Sequence, residues 1–128
     1  MSDRQCLSGQ RGPRAVGPYS PAVAAGGVLY CSGQIPMDPE TGKLVEGEIE
    51  DQARRALQNL VSLLEDCGSG ADRVLKTTVF LQDMADFTRV NAVYAEFFPA
   101  DPPARSCIQV GGLPLGAKVE VEAIALLG

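Results

Sequence analysis

The chain sets two amphipathic helical segments among five β-prone runs, in the order hairpin, helix, strand, helix, hairpin. That ratio limits the fold more than any other feature. Helices placed between strands favour crossover connections and a mixed sheet with helices packed on one face. With 128 residues and only two helices, the chain covers a single face, and the second apolar face is expected to meet another subunit.

The individual runs are set by pattern and punctuation. In "PAVAAGGVLYCSGQIP", Gly26-Gly27 separates two apolar runs and predicts a hairpin with strands over 21–25 and 28–34. "MDPETGK" is a turn cluster. Ala53, Leu57, Leu60, Val61 and Leu64 fall at helical spacing between Ile49 and Cys67, and Gly68 supplies the stop. Val74 to Leu81, "VLKTTVFL", reads as a central strand. Phe87, Val90, Tyr94 and Phe97 share one face of a second helix, with Asp86 as candidate cap and Pro99 as terminator; the aromatic stripe reads as core. Ala104–Val110 and Lys118–Leu127 flank "GGLPLGA" and predict a closing hairpin.

Composition narrows the chemistry. Apolar residues at 45% and charged residues at 21% fit one soluble globular domain spanning 1–128. No apolar run reaches the roughly 20 residues of a membrane span, and "MSDRQCLSGQRGPR" lacks the apolar segment of a secretory signal. An intracellular, cytoplasmic protein with no membrane partner is expected. The net charge is -5, and no basic cluster exceeds the pair Arg54-Arg55, which argues against a nucleic-acid partner. Cys6, Cys31, Cys67 and Cys107 form no C-x-x-C and read as reduced, mostly structural thiols. Histidine is absent, which leaves acid–base work to Glu, Asp, Tyr, Lys or Cys.

Arg105 is the residue in need of explanation. A permanently charged guanidinium opens a β-branched, apolar strand after two prolines. Across the predicted hairpin it faces a glutamate of "KVEVEAIA", where Val119, Val121 and Ala123 point one way and Lys118, Glu120 and Glu122 the other. Either that cross-strand ion pair holds Arg105, or a carboxylate from outside does. Cys107 shares its face. Ser32-Gly33 offers a hydroxyl and backbone N–H groups to a polar ligand, although Ser-Gly also simply ends strands. Tyr19 follows the Gly17-Pro18 turn that could swing its ring into a cleft.

"GPYS-x-AV", "SGQIPMDPETG", "KTTVFLQDMADFTRVNAVYAEFF", "PARSC" and "LP-x-G-x-x-VE-V-EAIA", in this order and spacing, resemble the YjgF/RidA (Rid) family of reactive intermediate deaminases. The resemblance runs from about Val16 to the C-terminus and is closest to the RidA subgroup. It implies a chorismate-mutase-like α+β fold: a mixed six-stranded sheet with two helices on one face, assembled as a homotrimer around a central barrel with clefts at the subunit interfaces. It implies hydrolysis of 2-imino and enamine acids, such as 2-aminoacrylate released by pyridoxal-phosphate-dependent dehydratases, to 2-keto acids and ammonia, with no metal or organic cofactor. By position, Arg105 would anchor the substrate carboxylate and Glu120 would orient or activate water. Tyr19, and Cys107 by positioning water, would complete the catalytic set, and Ser32, Gly33 and Asn91 would join Arg105 in binding the substrate. Pro21 and Pro102 depart from the family's usual residues beside the cleft. A non-catalytic keto-acid-binding or chaperone-like module is the alternative; a ribonuclease is disfavoured by the acidic balance.

Overall fold

A computed structural model describes residues 3–128. The strands are β1 (Gln5–Leu7), β2 (Ala22–Ala25), β3 (Val28–Gln34), β4 (Val74–Leu81), β5 (Ala104–Gln109) and β6 (Val119–Leu126); the helices are α1 (Ile49–Asp66) and α2 (Phe87–Phe97). They form one six-stranded sheet in the order β1-β2-β3-β6-β4-β5, with only β4 and β5 parallel. Both helices lie on one face, where Leu29, Leu60, Leu64, Val79, Leu81, Val90, Val119 and Val121 belong to a single core cluster.

The local signals explain the elements. Gly26 and Gly27 both take positive φ, 58° and 78°, as a two-residue hairpin turn between β2 and β3 requires. At the start of α1 the Glu48 N–H donates to Asp51 Oδ2 at 2.9 Å. At its end Gly68, with φ 89°, lets the Ser69 N–H reach the Leu64 carbonyl at 2.8 Å and its own N–H reach that of Glu65 at 3.1 Å. This is the Schellman arrangement that the Gly68 stop signal predicts. Buried Asn59 donates from Nδ2 to the carbonyls of Ile35 (3.0 Å) and Met37 (2.8 Å), fastening the chain after β3 to α1.

Three expectations are corrected. β5 and β6 are not a hairpin, because β4 lies between them. β5 follows α2 and pairs parallel with β4 at the sheet edge; the return through 110–118 then carries the chain past β4, so that β6 fills the central place between β3 and β4. The eight residues of β6 alternate strictly between buried and less buried, and with a neighbour on each side it satisfies both rows of backbone groups. Asp86 stands at the N-cap position of α2 but makes no side-chain capping bond, since a 3-10 turn over Met84–Asp86 starts the helical path earlier and Asp83 accepts from the Ala85 N–H at 2.9 Å instead. The sixth strand is β1, a three-residue edge strand within the N-terminal stretch that carries no predicted element.

Candidate active site

Because neighbouring residues of a strand alternate faces, register decides which groups can meet. Thr77 of β4 pairs with Arg105 of β5 and with Ala123 of β6, and all three face the helices. Phe80 pairs with Glu120, and Thr78 with Glu122, on the opposite face. The sequence-predicted site residues therefore fall into two groups with the sheet between them. The ion pair of Arg105 with a β6 glutamate, one of the two readings open above, does not exist.

On the helix side, Arg105 projects toward α2. Its Nη1 donates to Asn91 Oδ1 at 2.8 Å, and its guanidinium carbon lies 4.8 Å from the Tyr94 ring centre and 5.6 Å from that of Phe87. The i, i+4, i+7 spacing of these three residues puts them on one face of α2, so the helix presents a π, amide, π cradle to the cation. None of the ion pairs seen among the described residues includes Arg105; Arg11, Arg54 and Arg89, by contrast, all sit on carboxylates. Cys107, two residues on, shares this face, and burial pushes its thiol pKa up while Arg105 pulls the other way. Cys107 is therefore a neutral thiol at neutral pH.

On the other side, Glu120 and Glu122 border an open groove of about 360 Å³ with Tyr19, Ser32, Gly33, Val16, Ile35 and Pro114. Burial, and then the neighbouring Glu122 carboxylate, raise the Glu120 pKa above its ordinary value. Gly33 sits where the β3–β6 register shifts between Cys31 and Gln34, and a Cβ there would come within 2.7 Å of Glu120 Cδ. Glycine is what allows the carboxylate to lie against the β3 backbone. Ser32 Oγ donates to the Ser20 carbonyl at 2.7 Å and its N–H to that of Pro21 at 2.9 Å, so its primary role is to hold the Tyr19 loop against β3. Tyr19 Oη accepts from the Val16 N–H at 3.3 Å.

Tyr19, Ser32, Gly33 and Glu120 thus come together, as do Arg105, Asn91 and Cys107, but the two sets do not. Sequence reasoning missed Phe87, Tyr94 and Thr77 around Arg105, assigning the aromatics to the core; Asn91 lying between them at helical spacing is the signal that could have found them. Glu122 appeared only as a face-mate of Glu120.

Residues 9–127 match the family model described as Endoribonuclease L-PSP. The chain belongs to the YjgF/RidA family. It is 43% identical over 125 residues to human 2-iminobutanoate/2-iminopropanoate deaminase, covering 98% of this chain and 91% of that one. It is 45% identical over 124 residues to chloroplastic Reactive Intermediate Deaminase A of Arabidopsis thaliana, covering 97% and 66%. The crystal structure of E. coli TdcF with bound serine superposes with a TM-score of 0.91 at 40% identity, covering 97% of this chain and 99% of that one.

Proposed function

We propose that this protein hydrolyses 2-imino and enamine acids to 2-keto acids and ammonia in a site shared by two protomers of a cytoplasmic homotrimer, each protomer a single domain spanning 1–128. The observation that carries the reading is Arg105: oriented by Asn91 and two aromatic rings, yet unpaired with any carboxylate of the described residues. A planar guanidinium with free in-plane donors is built for bidentate capture of a carboxylate. The names of the relatives supply the matching chemistry, since 2-imino acids carry a carboxylate beside the C=N carbon, and serine in the TdcF structure carries one beside its amino carbon.

The open face supports the trimer. Tyr30, Ile108 and Leu126, at 49%, 46% and 37% exposure, lie on or beside the sheet face that no helix covers. Burying them against a second copy removes apolar surface from water. In the trimer, the Glu120 groove of one protomer meets the Arg105 cradle of its neighbour, and the opposite faces of the protomer become complementary halves.

The chemistry then follows from the groups present. Arg105 holds the carboxylate and so fixes the imine carbon, while Tyr19, Ser32 and Gly33 border the pocket; 2-aminoacrylate first takes a proton at C3 to become the imine. Water held by Glu120 attacks C2 of the protonated imine; its proton passes to the Glu120 carboxylate, and the C=N π pair moves to nitrogen. Glu120 returns the proton to the nitrogen, the C–N bond breaks with its electron pair leaving on ammonia, and the hydroxyl passes its proton to the Glu120 carboxylate as the carbonyl forms. One imine and one water give one 2-keto acid and one ammonia. Orientation and a single base of raised pKa are sufficient. The endoribonuclease description of the family finds little support here, since two carboxylates beside the groove repel a phosphodiester.

The test couples threonine dehydratase or an amino-acid oxidase to the purified protein and follows imine loss by semicarbazide trapping. Wild type should deplete the trapped imine. Arg105→Ala should lose roughly a hundred- to a thousand-fold in kcat/KM. No acceleration by a folded wild type removes the proposal.

A further inference from the structure

Arg105 is cradled by Tyr94, but the cradle has its own support on β4. Thr77 interrupts the inward row that continues through Val79 and Leu81, and it is fully buried. A hydroxyl there costs stability unless it is bonded, and valine has nearly the same shape without that demand. Among the described residues the hydroxyl bonds to Tyr94, with Thr77 Oγ1 and Tyr94 Oη 2.7 Å apart. The Tyr94 ring is also tilted against Phe98, with centroids 4.7 Å apart. Two contacts therefore fix the plane of the ring over which the Arg105 guanidinium lies.

We infer that Thr77 and Tyr94 form a positioning pair for Arg105, setting the plane in which its N–H groups meet the substrate carboxylate. This rests on the reading of Arg105 as the carboxylate anchor. The geometry suits the task. A cation held over a ring face spends no N–H donor on that contact, Asn91 takes one, and among the described residues the other donors are left for a bidentate acceptor. Thr77 is also the register partner of Arg105 on the adjacent parallel strand, so one strand pair carries both the anchor and the pin of its platform. Burial keeps the Tyr94 phenol neutral, and the ring acts through its face, not as an anion.

The experiment compares Thr77→Val, Thr77→Ser and Tyr94→Phe with wild type on two substrates, the imine of alanine and that of alanine amide, which lacks the carboxylate. Thr77→Val and Tyr94→Phe should each lower kcat/KM for the acid about tenfold, mainly through KM, while changing the amide less than about twofold. Thr77→Ser should recover most of the loss. Equal losses on both substrates, or Thr77→Val within about twofold of wild type on the acid, overturn the inference. Calorimetric titration with pyruvate reads the same positions without turnover: weaker binding to Thr77→Val than to wild type supports the pair, and equal binding overturns it. A wild type that binds pyruvate but hydrolyses nothing counts against the deaminase reading, not against the pair.

Discussion

On the helix-covered face, Thr77, Val79, Leu81, Val119, Val121, Ala123 and Ala125 are each no more than 3% exposed. On the opposite face the intervening residues of the same two strands, Thr78, Phe80, Glu120, Glu122 and Ile124, remain partly open, and Tyr30 beside them is half exposed. The chain completes one face of its sheet and leaves the other unfinished. The candidate site residues divide along the same line. Arg105 on the finished face is held by three side chains from α2, whereas Glu120 on the unfinished face borders an open groove. If, as proposed, Arg105 anchors the substrate and Glu120 is the base, their placement on opposite sides of one sheet requires a second copy to supply the missing half.

The largest expected effect comes from attacking the unfinished face. Tyr30→Asp places a charge at its centre while leaving the helix-side core untouched, and it should yield folded monomers by sedimentation velocity with imine hydrolysis reduced to background. A monomer that retained activity would break the comparison. Next in size is Gly33→Ala. Its methyl would collide with the Glu120 carboxylate, so kcat should fall about tenfold with helicity by circular dichroism unchanged. Wild-type turnover would mean that the carboxylate's seat on β3 is unimportant.

The smallest effect concerns pH. Burial and Glu122 raise the Glu120 pKa, and a base works only when ionised, so kcat/KM should fall as pH drops through that raised value. Glu122→Gln removes the like charge and lowers the Glu120 pKa. The acid limb of the pH–rate profile should therefore move to lower pH, though only in part, because burial is the larger cause. A limb that stays in place or moves up would show that a different group controls it.

Much of this was legible in the sequence, for physical reasons that also mark where legibility stopped. Alternation placed Arg105 with Cys107 and Glu120 with Glu122, because side-chain direction in a strand depends only on parity. Strand neighbours are another matter. Parity says nothing about which strand lies beside which, and the glycine-rich return between β5 and β6 invited a hairpin that the intervening β4 forbids. With strand order unknown, the separation of Arg105 from Glu120 was invisible. The three residues of β1 are too few for a period to show. Helical spacing grouped Phe87 with Tyr94, but an aromatic facing a cation and one facing leucine have the same period, and only the guanidinium above them tells the two apart.

The most direct test of a shared site is complementation between two inactive chains. Arg105→Ala keeps Glu120, and Glu120→Gln keeps Arg105; each alone should fall to the order of 1% of wild-type activity. Co-expressed in equal amounts and purified together as a random population of trimers, they should recover about a quarter of wild-type turnover, since one random interface in four joins two intact halves. Activity no higher than the average of the two parents would mean that Arg105 and Glu120 must belong to the same chain, and would contradict the account.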